Sequence, residues 1–202
     1  MALLLGLASA SPAPAREPAV LMVLGDSLSI GYGLEPGQSW PERMAALLAE
    51  GGEPVRLVNS SVSGDTMDDG RARLGWALAE EPDVCVVALG GNDGLRMLDT
   101  GRMADALDAI LGELEERGID ALVAGMLPPP NFGPEYAERF AAVFREAAAQ
   151  RGVPLVPFLL EGVAGNPALN QPDGIHPNAE GAQLVARHML PAVRALLERD
   201  GG

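Results

Sequence analysis

Five short runs of consecutive apolar residues, separated by longer stretches of helical periodicity, constrain the fold of this chain more than any other feature. The runs are "AVLMVLG" (19–25), "VRLVNSSV" (55–62), "DVCVVALG" (83–90), "DALVAGML" (120–127) and "VPLVPFLL" (153–160). Between and after them, apolar residues recur at i, i+3 and i+4 in "WPERMAALLAE", "DTMDDGRARLGWALAEE", "TGRMADALDAILGELEERG", "PEYAERFAAVFREAAAQRG" and "PNAEGAQLVARHMLPAVRALLER". Thr100 reads as an N-cap, and Gly118 and Gly152 as the residues that close their helices. Strands that are apolar throughout, rather than alternating, suit a parallel sheet covered on both faces. Strand–helix alternation with short links implies right-handed crossovers. The expected fold is a three-layer α/β/α domain over residues 18–202, with a central parallel sheet of about five strands.

Composition narrows the partners. The chain has 202 residues, 48% of them hydrophobic, enough for one well-filled core. Its formal charge is −14, and all 14 basic residues are arginine. Such a surface repels phosphate backbones and anionic lipid heads, so no nucleic-acid partner is expected. The single cysteine, Cys85, lies in an apolar run and excludes an internal disulfide or a cysteine zinc cluster. With only His176 and His188 present, a histidine-rich metal site is poorly supported, and no metal is expected. The opening "MALLLGLASASPAPA" has the small residues of a signal-peptide cleavage site but no preceding Lys or Arg. Residues 1–17 are therefore read as a signal-like or flexible segment, and the protein as periplasmic or secreted, with a cytoplasmic location as the alternative. No later stretch approaches the roughly 20 apolar residues of a membrane span, so stable membrane insertion is not expected.

In open parallel sheets, ligands bind beyond the carboxyl ends of the strands. The segments in those places carry Gly25-Asp26-Ser27, Ser63-Gly64-Asp65, Gly90-Gly91-Asn92-Asp93, Pro128-Pro129-Pro130-Asn131-Phe132-Gly133 and Asp173-Gly174-Ile175-His176-Pro177. Taken alone, Gly-Asp-Ser before a helix is an ordinary cap. Caps do not account for a Gly-framed polar residue in nearly every loop together with a histidine. Acyl transfer needs a hydroxyl nucleophile, an imidazole to take its proton, and a carboxylate to fix the imidazole tautomer. Ser27, His176 and Asp173 can fill these roles, because one tight turn brings a carboxylate beside a ring three residues later. Candidate donors to the developing oxyanion are the Ser27 amide, the Gly64 amide and the Asn92 side chain, each worth roughly 3 kcal/mol of barrier. Asp65 and Asp93 read as loop-holding groups, and His188 as scaffold.

The blocks "LGDSLSIGYGL", "VNSSVSGDT", "LGGNDGLR" and "DGIHPNAEGAQLVA" resemble the four conserved-order blocks of the SGNH (GDSL) hydrolases, in the bacterial thioesterase I, lysophospholipase L1 and arylesterase subgroup. The resemblance spans residues 20 to 195. It implies a flavodoxin-like sheet, Ser27 as nucleophile, Gly64 and Asn92 in the oxyanion hole, and His176 as a base supported by Asp173. It also implies export, and a loop after Asn92 ("DGLRMLD") that moves over the substrate. Pro128 stands where the subgroup carries a larger, more flexible side chain, so acyl-length preference does not carry over.

The function expected is hydrolysis of carboxylic esters or acyl thioesters by a monomer without cofactor. Asp26, Leu95, Met97, Leu98, Pro128 and Phe132 are the candidate substrate contacts, their apolar members favouring medium or long acyl chains. Activity is expected to fall in acid as His176 takes up a proton. Two alternatives stand beside it. One is a carbohydrate O-deacetylase with the same triad, distinguished by the ratio of acetyl to octanoyl ester hydrolysis. The other is a non-catalytic or magnesium-binding module using Asp26 and Asp93, which would be indifferent to Ser27→Ala.

Overall fold

The five apolar runs form one parallel sheet. The computed structural model describes residues 17–200, so the signal-like segment 1–17 lies, apart from Glu17, outside the described residues. The strands β1 (Val20–Gly25), β2 (Arg56–Ser61), β3 (Val84–Ala88), β4 (Asp120–Ala124) and β5 (Leu155–Val156) lie in the order β2-β1-β3-β4-β5. All four pairings are parallel. Among the helices are α1 (Ser27–Ile30), α2 (Trp40–Glu50), α3 (Met67–Ala77), α4 (Gly91–Leu95), α5 (Thr100–Glu116), α6 (Pro134–Arg151) and α7 (Ala179–Asp200). One group, α2 with α7, and another, α3 with α5 and α6, cover the sheet and complete the three layers. Leu21–Leu24 of β1, Val84–Val87 of β3 and Leu122–Ala124 of β4 are buried, as strands covered on both faces must be. Cys85 sits among them, its thiol pushed up to about 12 by burial, which makes it inert. Among the described residues, no helix is long and apolar enough to cross a membrane.

Local chemistry explains most boundaries. Ser39 and Glu42 form a reciprocal capping box that starts α2, and Thr66 and Asp69 do the same for α3. Gly118 follows the C-cap of α5 with φ 70°, and Gly152 closes α6 with φ 65°, as their positions indicate. Thr100 is not the N-cap of α5. That role falls to Asp99, whose carboxylate accepts from the Arg102 amide at 2.8 Å and also meets the positive end of the helix dipole. The last run is shorter as a strand than its apolar length implies. Pro154 and Pro157 have no amide hydrogen, so ladder pairing is confined to Leu155 and Val156.

Register then sets the place of the site. Gly25 at the end of β1 pairs with Ser61 of β2 on one side and Ala88 of β3 on the other. The chain leaves β1 for one neighbour and returns to the other, which makes this edge the switch point of the sheet. The loops carrying Ser27, Gly64 and Asn92 therefore emerge side by side.

Candidate active site

The loop carrying Ser27 is held by the residue before it. Asp26 is buried, and its Oδ1 accepts from the Leu28 amide at 3.0 Å, capping α1. Ser27 is the first residue of that helix, and its amide donates to no other described residue. The same holds for the Gly64 amide. Gly64 has φ 89°, a left-handed conformation that side-chain-bearing residues adopt only at a cost, so glycine is required to aim this amide.

The histidine arrives from the far end of the chain. The turn before α7 is closed by Asp173, whose Oδ1 accepts from the amides of Ile175 at 2.9 Å and His176 at 3.0 Å. Its Oδ2 meets His176 Nδ1 at 2.7 Å. The Ile175 amide, followed by the His176 ring, holds the Asp173 carboxyl down at about 2. An ionised carboxylate only accepts, so Nδ1 carries the proton and Nε2 presents its lone pair. Nε2 lies 2.8 Å from Ser27 Oγ. The Tyr32 ring leans over the imidazole, centroids 4.7 Å apart, and the Gln171 side chain ties the Tyr32 carbonyl at 2.6 Å to the Pro177 carbonyl at 3.0 Å.

On the other side of β1, Asn92 projects from α4. Its Nδ2 donates to the Asp65 carbonyl at 2.9 Å and reaches Asp26 Oδ2 at 3.4 Å. Asp93 accepts from the Met67 amide at 2.9 Å, joining α4 to the start of α3. Asp65 is ion-paired with Arg73, which also donates to the carbonyls of Ser60 at 2.7 Å and Gly25 at 3.0 Å. Asp65 and Asp93 thus hold loops. Arg73 staples the ends of β1 and β2 under the site, although nothing in its helical surroundings in the sequence marks it. Among the described residues, no group of three or more His, Cys, Asp and Glu is placed to hold a metal ion.

Ser27, Asn92, Asp26, Leu95 and Pro128 open onto one cleft of about 510 Å³. Its remaining walls are mainly apolar, from Met126 and Leu127 beyond β4, Phe158 and Leu160 beyond β5, and Ile175 in the histidine turn. His188, on α7, meets the Phe158 carbonyl at 3.0 Å and so steadies one wall. Met97, Leu98 and Phe132 do not line the cleft, contrary to expectation. Met97 adopts φ 50° and turns its side chain to solvent, the Leu98 carbonyl accepts from Tyr136 Oη at 3.0 Å, and Phe132 packs edge-on against the Tyr136 ring.

Burial pushes the Asp26 carboxyl up to about 6, against the opposing pull of the Leu28 amide. Its folded pKa lies above the unfolded value, so the stability linked to it is full in acid and is lost as pH rises from about 4 through about 6. Asn keeps the capping oxygen and cannot charge. Asp26→Asn is expected to gain stability relative to the parent across that window, on the order of 3 kcal/mol by its upper end. Calorimetric melting curves from pH 4 to 8 check this, and parallel profiles for the two proteins would refute it.

Comparison with known proteins places the chain in a family. Residues 23–184 match the model of the GDSL-like Lipase/Acylhydrolase family. The chain is 41% identical over 178 residues to Esterase TesA of Pseudomonas aeruginosa, covering 88% of this chain and 89% of that protein. It is 36% identical over 181 residues to thioesterase 1/protease 1/lysophospholipase L1 of Escherichia coli, covering 89% and 86% respectively. The crystal structure of TesA superposes with a TM-score of 0.84 at 40% identity, over 88% of this chain and 99% of that one. The psychrotrophic esterase EstA from Pseudoalteromonas, solved with monoethylphosphonate as inhibitor, gives a TM-score of 0.84 at 28% identity, over 89% and 98%. With family match, identity, coverage and fold in agreement, the chain belongs to the GDSL-like Lipase/Acylhydrolase family and is an acylhydrolase.

Proposed function

We propose that this protein cleaves carboxylic esters and acyl thioesters through an acyl-enzyme formed on Ser27. One observation carries the proposal. An unbroken line of hydrogen bonds runs from Asp173 through His176 to Ser27 Oγ, which opens onto an apolar cleft, and the Ser27 and Gly64 amides donate to no other described residue. His176 Nε2 takes the hydroxyl proton as Ser27 Oγ attacks the acyl carbonyl. The oxyanion is met by the amides of Ser27 and Gly64 and by the Asn92 Nδ2 hydrogen that points toward Asp26 at the long distance of 3.4 Å. His176 returns the proton to the departing alcohol or thiol. Water, activated by the same nitrogen, then releases the acid and restores the hydroxyl. Asp173 keeps its charge throughout and stabilises the imidazolium.

The apolar walls favour a hydrocarbon acyl chain, which places medium and long acyl groups ahead of acetyl. All the groups named come from one chain, so a monomer is sufficient. Export to the periplasm or medium is part of this proposal and is supported by the apolar opening segment with its small-residue sites. The test is covalent capture. A long-chain alkyl fluorophosphonate is expected to inactivate the protein with one label per chain, mapped by peptide mass to Ser27. Inactivation with the label elsewhere, or undiminished activity after exposure, would overturn the assignment.

A further inference from the structure

We propose that Arg96 is a positioning residue that holds Gly64 and Asn92 in their working orientation. This rests on the oxyanion roles proposed above and gives a role to the last residue of the block "LGGNDGLR", to which none has been assigned. Arg96 caps the end of α4, one turn after Asn92. Its Nη2 donates to the Gly64 carbonyl at 3.0 Å and to Asn92 Oδ1 at 3.4 Å. Gly64 follows β2 and Asn92 follows β3, the two strands that flank the serine strand. One guanidinium therefore spans the loops on both sides of Ser27.

The need for such a group follows from the chemistry of each partner. The Asn92 amide has two faces to satisfy. Its nitrogen faces two acceptors, the Asp65 carbonyl and the Asp26 carboxylate. Its oxygen accepts from Arg96 alone among the described residues. A flipped amide would set oxygen against those two acceptors, so Arg96 and the Asp65 carbonyl together select the orientation that offers N–H to the substrate. Gly64, in its left-handed conformation, has the freest backbone of any residue type. Its carbonyl is tethered by the same Arg96 nitrogen, which limits the swing of its amide. Arg96 bonds the Gly64 carbonyl and Asn92 Oδ1, so it acts through these two residues.

The experiment uses p-nitrophenyl butyrate, a short uncharged substrate, with Arg96→Ala, Arg96→Lys, Asn92→Ala and the Arg96→Ala/Asn92→Ala double variant. Removing an oxyanion donor outright costs about 10²–10³ in kcat, and loosening it costs less, so Arg96→Ala is expected to lower kcat about tenfold with KM within about twofold. Lysine recovers part of the loss, because an ammonium lacks the planar fork. Guanidinium ion at millimolar concentration raises kcat of Arg96→Ala and not of Asn92→Ala. In the Asn92→Ala background, loss of Arg96 costs less than about threefold, the coupling expected of residues acting as a unit. A kcat for Arg96→Ala within twofold of the parent would overturn the proposal. So would a loss confined to KM, the sign of direct substrate binding, or an undiminished loss in the double variant. Full activity in Asn92→Ala would instead remove the oxyanion assignment itself, whatever Arg96 does.

Discussion

Ser27→Ala is expected to lower kcat about a million-fold, leaving only what the amide donors and the cleft provide. The expectation follows from the site having one hydroxyl on the imidazole, at 2.8 Å, with the ring already oriented to receive its proton. Alanine keeps the backbone, so the Ser27 amide is retained and α1 is still capped by Asp26. Binding of a fatty-acid product is therefore expected to persist, and stability to change by no more than about 1 kcal/mol for one lost hydrogen bond. Single-turnover kinetics on p-nitrophenyl esters, with a melting curve alongside, measure both. Activity within tenfold of the parent would exclude Ser27 as nucleophile.

Asp173→Asn is expected to cost about 10⁴ in kcat with little change in KM. The aspartate accepts three hydrogen bonds, two from backbone amides and one from the imidazole. An asparagine in the same place has one oxygen to offer. If that oxygen serves the amides, its NH₂ faces Nδ1 and forces the proton onto Nε2, where it blocks acceptance from Ser27. If the oxygen serves the ring, the turn loses its closure. Either outcome removes the base, so the variant is expected to lose rate with its fold retained. NMR of the ring nitrogens reports the tautomer directly, and an Nδ1–H tautomer with normal kcat would refute this account.

Much of this arrangement is legible in the sequence because it is local. Helix α2 falls on residues 40–50 as its periodicity indicates, since its capping box and its apolar face are both encoded within one segment. The Asp173–His176 contact is likewise a single turn. The cleft walls are harder to see. Met126 and Leu127 continue the apolar run of β4, and Phe158 and Leu160 that of β5, so hydrophobicity cannot distinguish strand from wall. Met97 and Leu98 are close to Asn92 in sequence but are carried off the cleft by the left-handed turn that ends α4. Arg73 and Arg96 act across separations of 48 and 32 residues, through contacts that no spacing rule anticipates.

Ser27 and His176 are themselves 149 residues apart. One belongs to the first strand-to-helix turn and the other to the loop before the last helix, and joining them encloses the whole sheet. Contacts of such long range form only after the intervening chain has given up its freedom. Hydrolysis is thus among the last properties the chain acquires during its synthesis. A ribosome-bound or partly threaded chain carries the hydroxyl without its proposed base, and a hydroxyl alone does not cut esters. The topology delays the chemistry until the protein is whole.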